Sequence, residues 1–129
     1  MKYNVTIYCP DQHFVYDLNT LERKGVGGGI TARIRMAHAL AARGHVVTIY
    51  NNCPKNGTLS SVQYRHFSQL ECVETDIFIA STSGDGLDLS TLSDKEIKAK
   101  LRILMVHGVD PPRGVELGLF DHIYALSNF

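Results

Sequence analysis

The sequence predicts an α/β protein with a mostly parallel sheet. Two observations carry that prediction. Short apolar runs of strand length recur at Asn4–Cys9, Val46–Tyr50, Asp76–Ala80 and Ile103–Val106. Between the first two lies a stretch with helical rather than alternating period, Ile30–Arg43. Strands that alternate with helices imply a parallel sheet, because a crossover must return the chain to the starting edge.

The elements follow in order. Val5, Ile7 and Cys9 alternate with Thr6 and Tyr8 before Pro10, which is a strand pattern closed by a breaker. Asp11–Lys24 has no sustained period and reads as a long polar loop carrying Phe14 and Tyr16. Gly25–Gly29 is a glycine-rich turn. In the helix that follows, Ile30, Ile34, Ala37 and Ala41 share one face with Leu40 beside them, while Arg33, Arg35 and Arg43 fall largely elsewhere. Gly44 stands where a left-handed helix cap needs glycine.

Val46–Tyr50 is a near-continuous apolar run, as expected of a strand buried on both faces. Asn51–Ser61 is turn-rich, and Asn56-Gly57 reads as a turn. Val62–Phe67 alternates as a third strand. Asp76–Ala80 is a further strand, followed by the polar run Ser81–Gly86. Ser93 and Glu96 have capping-box spacing, which predicts a helix to about Leu101. Ile103–Val106 and His122–Leu126 complete the strands.

Composition excludes several functions. There is no apolar run of about 18 residues that would span a membrane, and no signal-peptide pattern at the start. Cys9, Cys53 and Cys72 have no metal-ligand spacing and read as small buried hydrophobes in a reducing, cytoplasmic setting. The six histidines share no ligand spacing, so neither a metal nor a cofactor is assigned. The net charge is zero, yet Arg23–Leu70 holds seven basic residues and no Asp or Glu. Such a window suits an anionic ligand. It lacks the interleaved aromatics of a nucleic-acid binder.

The glycine turn and the helix behind it form the first candidate site. Glycines admit close approach, and a helix N-terminus offers free N–H groups and a positive dipole end to a phosphate. Gly27, Gly28, Gly29 and Arg33 are the predicted phosphate-binding residues. The dinucleotide fingerprint fails, because Ile30 stands where its last glycine belongs. The acid expected after the second strand is also missing, with Tyr50, Asn51 and Asn52 in that region. No Gly-Lys-Ser/Thr P-loop is present. A second candidate is His107-Gly108 at the carboxyl end of a strand, and a third is Ser83 in the polar run after another. Either could be an ordinary strand-end or loop feature. His13 and Tyr16, in the long loop, are candidates for touching an acceptor. No nucleophile elbow or Cys–His signature is found, so the catalytic residues stay unknown.

Gly27-Gly28-Gly29, then Ala32, Arg33, Ala37, Leu40 and Ala41, then Arg43-Gly44-His45-Val46-Val47-Thr48, resembles the opening of GT-B glycosyltransferases. The similarity is greatest to the large retaining group. Val46 stands where that group often has glutamate. The resemblance implies a three-layer Rossmann-like domain, the acceptor-side half of a two-domain enzyme. Residues 1–129 would then be one such domain, incomplete and lacking the C-terminal donor domain. It implies a nucleotide-sugar donor, an acceptor hydroxyl, and glycine-turn contact with the donor diphosphate. It places His107, with Gly108 after it, near the sugar or acceptor, while Ser83 is a candidate for a sugar hydroxyl or a phosphate from the chemistry of its loop alone. Peripheral membrane contact stays compatible with such a domain. The alternative is a stand-alone anion- or nucleotide-binding module without catalysis.

Overall fold

A computed structural model describes residues 1–12, 14–23, 28–82, 92, 95–106 and 119–125. Its centre is a seven-stranded sheet. The strands are β1 (Asn4–Tyr8), β2 (Val46–Asn51), β3 (Gly57–Leu59), β4 (Val62–His66), β5 (Cys72–Thr82), β6 (Glu96–Val106) and β7 (His122–Ala125). Two helices are described, α1 (Leu18–Arg23) and α2 (Gly28–Ala42), with a 3₁₀ turn at Phe67–Gln69.

The order across the sheet is β3-β4-β2-β1-β5-β6-β7. All neighbours are parallel except β3, which pairs antiparallel with β4. With that short edge strand set aside, the six parallel strands follow the order 3-2-1-4-5-6, so the direction of strand addition reverses at a switch point between the first and fourth strands. Here those strands are β1 and β5, paired from Val5↔Ile77 to Tyr8↔Ala80.

The alternation in β1 divides two cores. Val5, Ile7 and Cys9 join Val47, Ile49, Val62, Tyr64 and Ile79 beneath α2, which contributes Ile30, Ile34, Ala37 and Ala41. Tyr8 faces the other way, into a cluster with Leu70, Phe78, Ala80, Leu104 and Val106. Phe67, Leu92 and Phe120 pack against that second cluster. Both helices described lie on the first face, with Leu18 and Leu21 of α1 against the same core as α2.

α2 ends as its sequence requires. Gly44 has φ +95°. The His45 amide donates to the Leu40 carbonyl and the Gly44 amide to that of Ala41. This is the Schellman closure, which satisfies carbonyls that the helix leaves open.

Several elements differ from the sequence expectation. The long loop contains α1, opened by reciprocal bonds between Asp17 and Thr20: the Thr20 amide donates to Asp17 Oδ1, and the Asp17 amide to Thr20 Oγ1. The helix expected to run to Leu101 is strand from Glu96 onward. Its spacing serves both states, since Glu96, Lys98, Lys100 and Arg102 alternate with Ile97, Ala99, Leu101 and Ile103. The parallel ladder with β5, from Cys72↔Glu96 to Thr82↔Val106, supplies the partner that decides it. Asn56-Gly57 is not the hairpin turn. β3 and β4 meet at Leu59↔Val62, so Ser60 and Ser61 form the two-residue loop. Both have positive φ, as a type I′ turn demands. Cys9 and Cys53 are buried as expected, but Cys72 is exposed at the amino end of β5. Its thiol donates to Glu96 Oε2 at 3.4 Å, and that carboxylate pushes the thiol pKa up.

Candidate functional site

The carboxyl ends of β1, β2 and β5 converge on one buried polar cluster. Its centre is Arg33, 1% exposed despite its charge. Arg33 falls three residues after Ile30 and four before Ala37, on the apolar stripe of α2. Its guanidinium is anchored on three sides. Nε donates to Ser81 Oγ of β5 at 2.9 Å. Nη1 donates to Asp11 Oδ2 at 3.0 Å and to the Tyr16 hydroxyl at 2.7 Å.

β1 and β2 extend this network. The Cys9 amide donates to the Tyr50 carbonyl, continuing the β1–β2 ladder to the point where Pro10 turns the chain towards Asp11. Asn51, wholly buried at the end of β2, donates through Nδ2 to the Tyr16 carbonyl at 3.0 Å. The Tyr16 amide donates to the Asn52 carbonyl, and Asn52 Nδ2 to that of Phe14. The long loop is therefore stitched to the end of β2 by amides. Where dinucleotide folds place an acid, this chain uses Asn51 and Asn52 to hold its own backbone.

The electrostatics follow from burial. Burial disfavours the Arg33 charge, but the acidic groups around it, Cys9, Tyr16 and Asp11, outweigh that and push its pKa up. Burial pushes the Cys9 thiol up to about 12 and raises the Tyr16 phenol further, so both stay protonated near neutral pH. At that pH the cluster's charges are the Arg33–Asp11 pair, with both side chains wholly buried. Arg33 Nη2 and Asn51 Oδ1 are buried without a hydrogen-bond partner.

This geometry revises one predicted role. Arg33 is not at the surface awaiting a phosphate: it faces the core and spends Nε and Nη1 on protein groups. The physical reason is its register on α2, which puts it on the apolar face. The basic window consequently offers solvent one charge fewer than the sequence suggests. Tyr16, a candidate for acceptor contact, is likewise buried and occupied by Arg33 and the β2 amides. Gly28 and Gly29 form the first turn of α2, and a Cβ added to Gly28 would meet nothing within 4 Å. Gly27, His13, Ser83, His107 and Gly108 lie outside the described residues.

Sequence reasoning missed Asp11, Ser81 and Asn51 as partners. One signal was available: an arginine three residues after Ile30 must enter the core, and a buried guanidinium requires a carboxylate. Asp11, just past the first strand, is the acid nearest that strand's end.

Three surface depressions among the described residues lie away from this cluster. One of about 490 Å³ sits at the amino edge of the sheet, between Asn4, Glu74, Asp76, Lys98 and Lys100. Two of about 420 Å³ adjoin Arg23 and Pro54. In open α/β sheets ligands bind at the carboxyl edge, so the first is at the wrong end for such a site. Among the described residues no cluster of three or more His, Cys, Asp or Glu could hold a metal, and no helix is long and apolar enough to cross a membrane. No protein-family model, curated protein or solved structure matches the chain.

Proposed function

We propose that the chain is the acceptor-side domain of a GT-B glycosyltransferase, three-layered and Rossmann-like, whose glycine turn faces the diphosphate of a nucleotide-sugar donor. One observation carries this reading. A helix headed by Gly28-Gly29 is anchored through Arg33 to the carboxyl ends of β1 and β5, the switch point of a sheet ordered for ligand binding there. The glycine-to-threonine passage from Gly27 to Thr48 adds the family resemblance.

In this reading the reaction transfers a hexose to an acceptor hydroxyl. As the glycosidic bond breaks, negative charge builds on the leaving diphosphate. The amides of Gly28 and Gly29 and the dipole of α2 stabilise that charge, without metal or cofactor assigned here. His107, Gly108 and Ser83 line the sugar or acceptor, and the nucleotide is held mainly by a second domain. The setting is cytoplasmic.

The test is a titration with UDP, GDP and ADP, read from backbone amide resonances. Binding of at least one should move the Gly28 and Gly29 signals, and its nucleoside alone should not. Gly28→Val should leave the fold intact, because the space above Gly28 is open, and weaken that binding tenfold or more. Tight NAD(P) binding with no response to any nucleoside diphosphate would overturn the proposal.

A further inference from the structure

A buried ion pair is an expensive way to stabilise a core, since apolar side chains of similar volume often do as well or better. The Arg33–Asp11 pair therefore invites a reason beyond stability, and its geometry supplies one. The apolar contacts of Ile30 and Ile34 are non-directional and tolerate small slides of the helix. The Arg33 fork does not. It makes three directional bonds to two segments: to Asp11 and Tyr16 at the two ends of the loop between β1 and α1, and to Ser81 near the end of β5. Through the bonds of Asn51 and Asn52, Tyr16 is itself fixed to β2. One side chain thus indexes α2 against three strands at their carboxyl edge.

We propose that Arg33 is a positioning residue: its buried fork sets where the first turn of α2, and with it the amides of Gly28 and Gly29, stands over the switch point. Arg33 lies five residues after Gly28, within a continuous helix. A helix transmits a fixed point rigidly along its axis, so tethering Arg33 tethers the turn ahead of it. Lysine cannot substitute. A single ammonium lacks the planar fork that reaches Ser81 on one edge and Asp11 with Tyr16 on another. The consequence for ligand affinity rests on the phosphate-facing role proposed above; the positioning itself does not.

The experiment compares the wild-type chain with Arg33→Lys, Ser81→Ala and the apolar pair Arg33→Met/Asp11→Leu. Amide exchange is followed at Ala32, which bonds back to Gly28, and at Ala41 near the far end of α2. Backbone relaxation is followed at Gly28 and Gly29. The apolar pair should keep its urea midpoint while exchange at Ala32 quickens tenfold or more and Ala41 stays protected. Ser81→Ala, which folds with the ion pair intact, should show the same pattern at two- to threefold. Arg33→Lys should fail to restore the wild-type pattern. Uniform quickening along α2, no change at Ala32, or full rescue by lysine would each overturn the inference. UDP, GDP and ADP titrations of the same proteins separate the two claims. A wild-type chain that binds none of them, with the exchange pattern as expected, removes the glycosyltransferase reading and leaves the positioning role standing.

Discussion

The two faces of the sheet are built on different principles. Beneath α2 the core is apolar for most of its length but ends, at the carboxyl edge, in a charged and hydrogen-bonded cluster around Arg33. The opposite face carries Tyr8, Leu70, Phe78, Ala80, Leu104 and Val106. No ion pair is found in it among the described residues. Both clusters are made of buried side chains. The difference shows that burial alone does not account for Arg33 and Asp11, because the same sheet solves the burial problem on its other side with hydrocarbon.

The comparison can be broken most directly at its charged end. Asp11→Ala leaves the Arg33 charge buried without its carboxylate and should cost about 3–5 kcal/mol in urea unfolding. A loss below about 1 kcal/mol would mean that water reaches the guanidinium, and the contrast between faces would collapse. On the apolar face, Leu104→Ala should cost roughly 2–5 kcal/mol through the cavity it leaves. Its stability loss should be independent of salt and pH, and its nucleotide response unchanged. A shift in the Gly28 amide on this variant would show that the two faces are coupled.

A smaller effect comes from the hairpin at the sheet edge, which belongs to neither face. Ser61 has φ +69°, a conformation that costs a non-glycine residue about 1–2 kcal/mol. Ser61→Gly should recover roughly 0.5–1 kcal/mol, seen as a raised melting temperature. It also gives a firmer background in which the Asp11 variant can be studied while folded.

The smallest effect is a pH dependence of the α2 face. His38 is half-buried on α2, with Nε2 2.8 Å from the Tyr64 hydroxyl of β4. Burial lowers its pKa below the ordinary 6.5, partly offset by the Ser60 backbone. The unfolded chain therefore takes up the proton first. Stability is fully present above about 6.5 and is lost as the pH falls through that value towards the folded pKa. Melting temperatures between pH 7.5 and 5.5 should fall, and His38→Gln should remove that component. An unchanged slope in the variant would assign it to another group.

Much of the fold was legible in the sequence, and the reason differs by element. Val5–Cys9 and Val46–Tyr50 announce buried strands because apolar residues run together between breakers. The α2 stripe of Ile30, Ile34, Ala37 and Ala41, and the cap at Gly44, are local features that need no distant partner. The start of α2 near Gly28 and Gly29 was legible, but Arg33 was misjudged by assigning a charged residue to the solvent side.

What the sequence determined by itself was therefore the first strand–helix–strand passage, the end of α2 and the parallel character of the sheet. These depend on period, on a positive φ and on the length of an apolar run. Tertiary structure decided the rest. Glu96–Leu101 became strand because β5 offered an eleven-residue edge that outweighs a local capping signal. Ser60 and Ser61 became a turn because β3 and β4 pair in that register. Arg33 became an internal tether because Asp11, Tyr16 and Ser81, distant along the chain, meet where the carboxyl ends of the strands converge. A buried charge is tolerable only where its partners are already in place, and only the folded sheet brings those three together.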